Sequence, residues 1–292
     1  MLRIFGDVDA NTGHITAKHD VHISGSVSPG YEIKSGGSVF IGGKVEEGTQ
    51  IHAQGNVIAA EGVFGSETKV VAFGNVETRC VQQSSILARG NISVGSHIVQ
   101  AYLRSGSRIE VGTEEAGGTI AGGKVISSRS ITAGRIGTST GESTVVEIAL
   151  ELKLASRLKK MRSSVDFCNT NILRIFRTLG LGQLNPVEVR DLVQRTPPSK
   201  REHIQDMLEK LTSLVETRKK SLRLQKELEE QSAEFIERGH IEVSDQVFAG
   251  SQIRMGDEVL EIPQDLEASE FISSGDGIQI LPPETEDQDE VD

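Results

Sequence analysis

Apolar residues recur with a period of eighteen in the first part of this chain, and few folds are compatible with such a pattern. In the segment IKSGGSVFIGGKV, residues 33–45, apolar side chains follow one another at gaps of six, two and four residues. The same gaps occur on both sides, at Ile15, Val21, Ile23 and Val27, at Ile33, Val39, Ile41 and Val45, and at Ile51, Val57, Ala59 and Val63. Short internal periods are typical of solenoids, in which each repeat buries its apolar side chains only against its neighbours.

The spacing inside each repeat indicates short β-strands joined by tight turns. Apolar residues two positions apart, such as Val39 and Ile41, lie on one face of a strand. The glycine and small polar residues between such pairs, as in residues 34–38, are typical of turns. Aromatic residues make up only 4% of the chain and Trp is missing, which disfavours a wide globular core. The sequence therefore predicts a mainly β fold, a parallel β-helix over residues 1–144.

The spacing alone leaves the handedness of this β-helix open. A strict six-residue spacing from Ile15 to Val63 would also suit the left-handed helix of hexapeptide acyltransferases. From there the intervals between repeats become irregular, with 19 residues from Ile51 to Val70 and 16 from Val70 to Ile86. Apolar pairs two apart persist, as at Ile109 and Val111, and this looser pattern favours a right-handed coil.

The apolar period changes between residues 145 and 239, where steps of four and three residues predict coiled-coil helices. The first seam consists of Leu154, Leu158, Met161, Val165, Cys168, Ile172 and Ile175. Asn185 followed by Pro186 predicts a short helix near residues 185–196. A second seam consists of Ile204, Leu208, Leu211, Val215 and Leu222, and Leu224, Leu228 and Phe235 continue it less regularly. Residues 145–239 are therefore predicted to form an inserted antiparallel α-helical coiled-coil hairpin with a short helical tip.

The β pattern is predicted to return after the hairpin. Val247, Ile253, Met255 and Val259 repeat the gaps of six, two and four, so residues 240–281 are expected to complete the solenoid. Residues 257–292 carry 13 Asp and Glu residues and no Lys or Arg. The last part of this acidic region, residues 282–292, is predicted to be a disordered tail.

No catalytic, cofactor-binding or metal-binding residues are predicted. The segment Gly118-Thr-Ile-Ala-Gly-Gly-Lys-Val125 matches a phosphate-binding loop except at its end, where Val125 replaces the required Ser or Thr. We expect this segment to form a solenoid turn. The seven histidines show no metal-ligand spacing on a helix, and Cys80 and Cys168 are expected to be small buried residues.

Charge and hydropathy point to a cytoplasmic protein. No stretch approaches the roughly 20 apolar residues of a membrane span, and the N-terminal residues lack the apolar core of a signal peptide. Basic runs at residues 159–162 and 218–220 lack interleaved aromatic residues, so nucleic-acid binding is not expected. Membrane insertion is not expected either.

Two segments carry a resemblance to a known family. They are VVAFGNVETRCVQQSSILARGNISVG, residues 70–95, and GGTIAGGKVISSRSITAGRIGTSTGESTVVEIAL, residues 117–150, the second leading directly into the helical hairpin. Together with the β return, they resemble the bacterial flagellar assembly protein A family, and the match extends from about Gly6 to Ile262. The resemblance implies a right-handed parallel β-helix. It also implies a cytoplasmic protein, with the cell pole as one location, that acts in flagellar assembly or polar organisation. It implies no catalytic residues.

Three functional hypotheses remain open at this point. The first is a non-enzymatic scaffold or adaptor whose hairpin tip contacts a protein partner through Val187, Val189, Leu192 and Val193. The second is a self-assembling cytoskeletal element like the bactofilins, in which solenoid ends stack and the chain forms homo-oligomers. The third is a hexapeptide-type acyltransferase, which predicts a trimer that binds acyl-CoA.

Overall fold

The computed structural model describes residues 1–113, 116–181, 185–274 and 277–282. Two compact units share the chain. The solenoid unit contains Met1–Glu151 and Ala233–Asp292, and the helical unit contains Leu152–Ser232. Of the predicted acidic tail, only Pro282 lies within the described residues.

Among the residues that the structure describes, twenty-two strands and three helices make up these units. Before the insertion the strands are β1 (Leu2–Ile4), β2 (Ile15–Ala17), β3 (Val21–Ile23), β4 (Glu32–Ser35), β5 (Val39–Ile41), β6 (Lys44–Val45), β7 (Gln50–Ala53), β8 (Val57–Ala59), β9 (Gly62–Phe64), β10 (Lys69–Ala72), β11 (Val76–Gln82), β12 (Ser85–Ala88), β13 (Ile92–Ser105), β14 (Arg108–Val111), β15 (Thr119–Ser127), β16 (Ser130–Ile136) and β17 (Thr144–Ile148). The insertion contains α1 (Leu152–Leu179), α2 (Pro186–Arg195) and α3 (Pro198–Glu237). The chain then forms β18 (His240–Val247), β19 (Gln252–Met255), β20 (Glu258–Glu261), β21 (Leu266–Ser273) and β22 (Ile278–Leu281).

The strands form a β-solenoid of about eight turns, in which most strands pair in parallel with the same segment of the next turn. Three stacks of paired segments result. The first stack aligns Leu2, Val21, Val39, Val57, Val76, Ile92, Ile109, Ile131 and Ile241. The second aligns Val8, Val27, Val45, Val63, Val81, Ile98, Ile120, Ile136 and Val247. The third aligns Ile15, Ile33, Ile51, Val70, Ile86, Leu103, Val125, Val146 and Ile253.

These aligned residues form one continuous apolar core. Apart from Leu2, every member of the three stacks is buried. The predicted period is confirmed, because Ile33 pairs with Ile15 on one side and Ile51 on the other. The irregular intervals of 19 and 16 residues are confirmed as well, since Val70 pairs with both Ile51 and Ile86. The right-handed sense of the coil stays a prediction.

The helices are inserted between two turns of the solenoid. Ile131 of β16 pairs with Ile241 of β18, and Val146 of β17 pairs with Ile253 of β19, so the strands on the two sides of the insertion are direct neighbours. The insertion begins later than residue 145. Residues 144–148 form β17, because Val146 and Ile148 alternate with outward residues and are fully buried in the core.

The end of the β return differs from the sequence prediction at Val259. This side chain is 53% exposed and lies on β20, which runs antiparallel to β19. The reversal occurs at Gly256, whose φ of +63° suits a tight two-residue turn. Ile241 and Val243 are a further inward pair that continues the repeat after the insertion, and both are fully buried. Val247, Ile253 and Met255 are buried and continue the solenoid as predicted, so only the last gap, the four residues to Val259, departs from the repeat.

In the helical unit, α1 and α3 pack antiparallel to each other. Cys168 and Ile172 of α1 cluster with Leu211 of α3, while the Ser164 and Ser221 hydroxyls lie 3.0 Å apart. The predicted α1 seam is buried or half-buried. Coiled-coil packing in the strict sense stays a prediction.

The predicted α3 seam is wrong at two positions. Leu222 and Leu224 are 41% and 36% exposed, whereas Ser221 beside them is buried.

Candidate protein-contact site

The helical tip that the sequence predicts is helix α2, and its ends are fixed by local hydrogen bonds. Asn185 is the N-cap, and its side-chain oxygen accepts a hydrogen bond from the Val187 N–H at 3.0 Å. Pro186 takes the first helical position, where a missing N–H costs nothing. At the other end, Thr196 is the C-cap, and its hydroxyl donates to the Leu192 carbonyl.

Contacts beyond α2 hold its C-terminal end in place. The Arg201 side chain, in the first turn of α3, donates through Nε to the Thr196 carbonyl at 3.1 Å. Thr196 is itself buried, as is Leu179 at the end of α1. The tip of the helical unit is therefore an ordered element whose apolar side chains have defined directions.

The structure brings three of the four predicted contact residues to one side of α2. Leu192 and Val193 lie three and four positions after Val189 and share a helix face with it. Val187 is two positions before Val189 and points to a different side. The exposed fractions are 65% for Val187 and 38% for Val193, while Val189 and Leu192 are half-buried.

This face can bury apolar area against a partner. None of the ten residues of α2 is buried within the chain, although four of them are Val or Leu. Burying apolar surface is worth roughly 25 cal/mol per Å², and a partner that covers this face would gain that free energy. An ion pair between Arg195 and Asp191, at 3.6 Å, flanks the apolar residues.

The histidines are distributed over the solenoid and the helices. His14 accepts the Glu32 N–H through Nδ1 at 3.0 Å, and His22 stacks on the Phe40 ring. His97 lies 3.0 Å from both the Gln82 amide and the Ser96 hydroxyl. Within residues 1–113, 116–181, 185–274 and 277–282, no three His, Cys, Asp or Glu side chains are arranged to hold a metal ion.

The segment that resembles a phosphate-binding loop is part of the solenoid. Its residues Thr119 to Val125 lie within strand β15 of the solenoid, and strand β16 follows them. The Lys124 ammonium pairs with the Glu147 carboxylate of the neighbouring β17 at 2.6 Å. Cys80 and Cys168 are both free and buried, as expected.

In the described part of the chain, three carboxyl groups have pKa values below the ordinary range. The pKa of Glu32 is lowered chiefly by a hydrogen bond from Lys34, and that of Asp9 by the backbone N–H of Asn11.

The third of these carboxyl groups links α1 to α3. The pKa of Glu229 is lowered by hydrogen bonds from Gln225 and then Arg162. Both distances are 3.1 Å.

Sequence reasoning missed a group of exposed apolar residues at the first strand. Met1, Leu2 and Phe5 are 62%, 43% and 89% exposed. The sequence signal that could have indicated this exposed group is Phe5, an apolar residue that lies outside the eighteen-residue pattern. Among the helices that the structure describes, none is long and apolar enough to cross a membrane.

Stacked parallel turns interrupted by a helical insertion define the class of this protein, a β-solenoid with a helical hairpin in its final part. A sequence model described as "Flagellar Assembly Protein A beta solenoid domain" matches residues 1–278, and the chain belongs to this family. Comparisons with curated proteins and with solved structures gave no significant match.

Proposed function

We propose that this protein is a non-enzymatic scaffold or adaptor of the bacterial cytoplasm that acts in flagellar assembly or polar organisation. The family name supports the flagellar context. The observation that carries the proposal is the ordered helix α2, whose four apolar side chains are exposed or half-buried. In this proposal the solenoid is the rigid support, and Val189, Leu192 and Val193 form the centre of a contact with a protein partner.

The structure disfavours a filament built by stacking solenoid ends. Such a filament would continue the parallel stacking from one chain to the next, whereas strands β20 and β21 pair antiparallel with the last parallel turn. The acyltransferase hypothesis gains no specific support from the described residues. We therefore propose neither as the function.

The flagellar role is tested in a strain that lacks the gene. Flagella are counted per cell by electron microscopy, with and without the restored wild-type gene. We expect a loss of flagella that the wild-type gene reverses. Unchanged flagella in the deletion strain would contradict the flagellar role.

The tip contact is tested separately in the same strain. The substitution pair Leu192→Asp and Val193→Asp is expected to abolish complementation, because two charges would lie in the apolar contact. Gln194→Glu, on the same helix but with a polar residue to start from, is the matched control and is expected to complement. Circular dichroism of both purified variants confirms that the fold is retained. Full complementation by the Asp pair would show that the tip is not the contact.

A direct measurement uses a photo-crosslinking amino acid placed at position 193 in living cells. We expect a discrete crosslinked band at position 193 that is missing when the same group is placed at exposed Lys219 on α3. Identical bands at both positions would argue against a contact specific to α2.

A further inference from the structure

The outward side of the third stack carries cations and apolar residues next to one another. On β7, β10, β12 and residues 102–105 of β13, side chains alternate between the buried core and the outward side. The register aligns two outward rows across three of these strands, which consist of Lys69, Ser85 and Tyr102 and of Val71, Leu87 and Arg104. Since neighbouring strands lie about 4.8 Å apart, these residues form one compact patch.

The apolar members of this patch reach the solvent. Phe73, directly after β10, is 41% exposed, and Tyr102 is 39% exposed. Leu87 lies on the strand between them and is half-buried, as is Val71 beside it. Adjoining apolar side chains at a surface are typical of contact sites, whereas single exposed ones are common everywhere.

The cations of the patch lack carboxylate partners. Strands β7, β10, β12 and β13 contain neither Asp nor Glu. The Arg89 guanidinium lies over the Phe73 ring, 3.9 Å from its centroid, and this stacking leaves its N–H edge free to donate. Among the described residues, Lys69 and Arg89 have no ion pair. The patch is therefore positive, although the chain has a net charge of −11.

The outward row of the first stack carries carboxylates instead. Its register aligns Glu77, Glu110 and Glu242, and all three are exposed. On the third stack itself, the Glu147 carboxylate pairs with Lys124 at 2.6 Å. An acidic molecule is therefore attracted to the positive patch and repelled by the carboxylates of the first stack.

We propose that this patch docks an acidic segment of another protein, in which carboxylates flank apolar side chains. We call it the cationic face and define it by Lys69, Phe73, Leu87, Arg89, Tyr102 and Arg104. Carboxylates of the partner pair with Lys69 and Arg89, while its apolar side chains cover the exposed rings and Leu87. The cationic face belongs to the solenoid unit, so it does not depend on the contact proposed for α2.

The chemistry favours a protein segment over nucleic acid. Nucleic-acid-binding domains are usually basic as a whole, whereas this chain is acidic. The cationic face offers three cations, and one of them, Arg104, already donates to the Leu150 carbonyl at 3.2 Å. Tight binding of nucleic acid relies on neutralising a longer row of phosphates. An acidic peptide needs fewer cations and also uses the apolar residues.

The test uses the full chain and a phage-displayed library of random peptides. Peptides that bind the immobilised wild type are selected and sequenced. We expect enrichment of Asp and Glu together with aliphatic or aromatic residues, because both kinds of side chain have partners on the cationic face. A synthetic copy of the most enriched acidic peptide is then titrated against the variants by fluorescence anisotropy.

The pair Lys69→Glu and Arg89→Glu is expected to weaken binding of this peptide by about tenfold or more, since two attractions become repulsions. The pair Arg79→Glu and Arg108→Glu makes the same charge change at exposed arginines near the first stack. It is the matched control and should bind nearly as tightly as the wild type. Circular dichroism of both pairs confirms that the fold is retained.

Phe73→Ala tests the apolar part of the cationic face and should weaken binding of the same peptide several-fold. A selection without enrichment of acidic residues would overturn the proposal. So would equal binding by the two charge-reversed pairs. Binding of a single-stranded oligothymidylate to the wild type that Lys69→Glu and Arg89→Glu abolish would assign the face to nucleic acid instead.

Discussion

At the corners before strands β3, β5, β8 and β11 of the first stack, one side chain binds the backbone of the next turn. Asp20 Oδ1 accepts the Ser38 N–H at 2.8 Å, and Ser38 Oγ accepts the Asn56 N–H at 3.0 Å. Asn56 Oδ1 accepts the Asn75 N–H at 2.8 Å, and Asn75 Oδ1 accepts the Asn91 N–H at 2.9 Å. This ladder satisfies backbone donors where the chain bends away from the sheet.

The ladder explains why glycine precedes four of its members. A Cβ at Gly74 would lie 2.1 Å from Asn56 Oδ1 and 3.0 Å from the Gly55 carbonyl carbon. Gly37, Gly55 and Gly90 have equivalent contacts at 2.1 to 2.4 Å from the side-chain oxygen one turn earlier. The sequence indicated that the chain bends at these glycines. The close approach between neighbouring coils of the solenoid depends on their register, which one repeat alone does not give.

Gly74→Ala is expected to lower the free energy of unfolding by about 1–3 kcal/mol, because the added methyl group overpacks a contact with little freedom to move. Gly95→Ala is the matched control, since its Cβ would meet nothing closer than 3.7 Å. Chemical denaturation of both variants provides the comparison. Equal midpoints for the two variants would contradict the steric explanation.

Asn75→Ala is expected to destabilise the solenoid by about 1 kcal/mol, because the Asn91 N–H loses its acceptor. Asn75→Ser should retain much of the stability, since Ser38 fills the same position of the ladder two repeats earlier. Hydrogen exchange at the Asn91 amide is the sensitive measurement. Protection that is equal in the Ala and Ser variants would show that the side chain contributes nothing there.

At the level of elements, the two long helices show that a pattern of apolar residues is not sufficient to identify the buried positions of a helix. In α3 the buried positions change from Leu211 to Ser221, Leu228 and Ser232 along the 40-residue helix. An α-helix drifts by about 20° per heptad relative to a 3.5-residue repeat, so the inward face moves to new residues. A search for leucines selects Leu222, whereas the contact with α1 uses the Ser164 and Ser221 hydroxyls.

Leu228→Ala is expected to lower the free energy of unfolding by about 2–4 kcal/mol, because the side chain is 1% exposed. Leu222→Ala removes the same atoms from a side chain that is 41% exposed, and its effect should be well under half as large. The ellipticity at the helical minimum during thermal unfolding reports the helical unit. A larger loss of stability in Leu222→Ala than in Leu228→Ala would support the seam predicted from the sequence.

The Glu229 carboxylate makes the helical unit weakly dependent on pH. Its folded-state pKa is lowered by Gln225 and Arg162, so its stabilising contribution is present above the ordinary pKa of 4.5 and is lost as pH falls through the folded-state value. The group is 41% exposed, and solvent screening limits the contribution to about 0.5 kcal/mol. Glu229→Gln should flatten this part of the pH dependence, which lies at and below the ordinary pKa of 4.5. If the free energy of unfolding of the variant depends on pH as steeply as that of the wild type, Glu229 does not cause this pH dependence.

For the whole molecule, the sequence predicted the part of the fold that repeats and failed where repetition ends. Val39 and Ile41 indicated the register of every early turn, because the same apolar pair recurs eighteen residues before and after them. The terminating strands have no such internal copy. Val259 matched the spacing of the repeat, and only the turn at Gly256 shows that the chain reverses there. Likewise, Asn185 and Pro186 predicted the tip helix, but not which of its valines share a face.

Phe271 closes the apolar core at the antiparallel end. It lies on β21 opposite Ile241, and it is fully buried and the largest of the fully buried side chains. In a solenoid each turn is stabilised by its nearest neighbours, so a defect at one end should act locally instead of unfolding all turns together.

Phe271→Ala is therefore expected to destabilise the closing turn by about 3–5 kcal/mol while the early turns stay protected. Hydrogen exchange should accelerate in β18 and β19 and remain slow in β5 and β8, because the early strands keep both of their neighbours. Phe73→Ala removes the same ring from a position that is 41% exposed, and it should change exchange little at either end. Uniform acceleration in all strands after Phe271→Ala would mean that the solenoid unfolds as one cooperative unit, and the closing strands would then stabilise every turn rather than only the last.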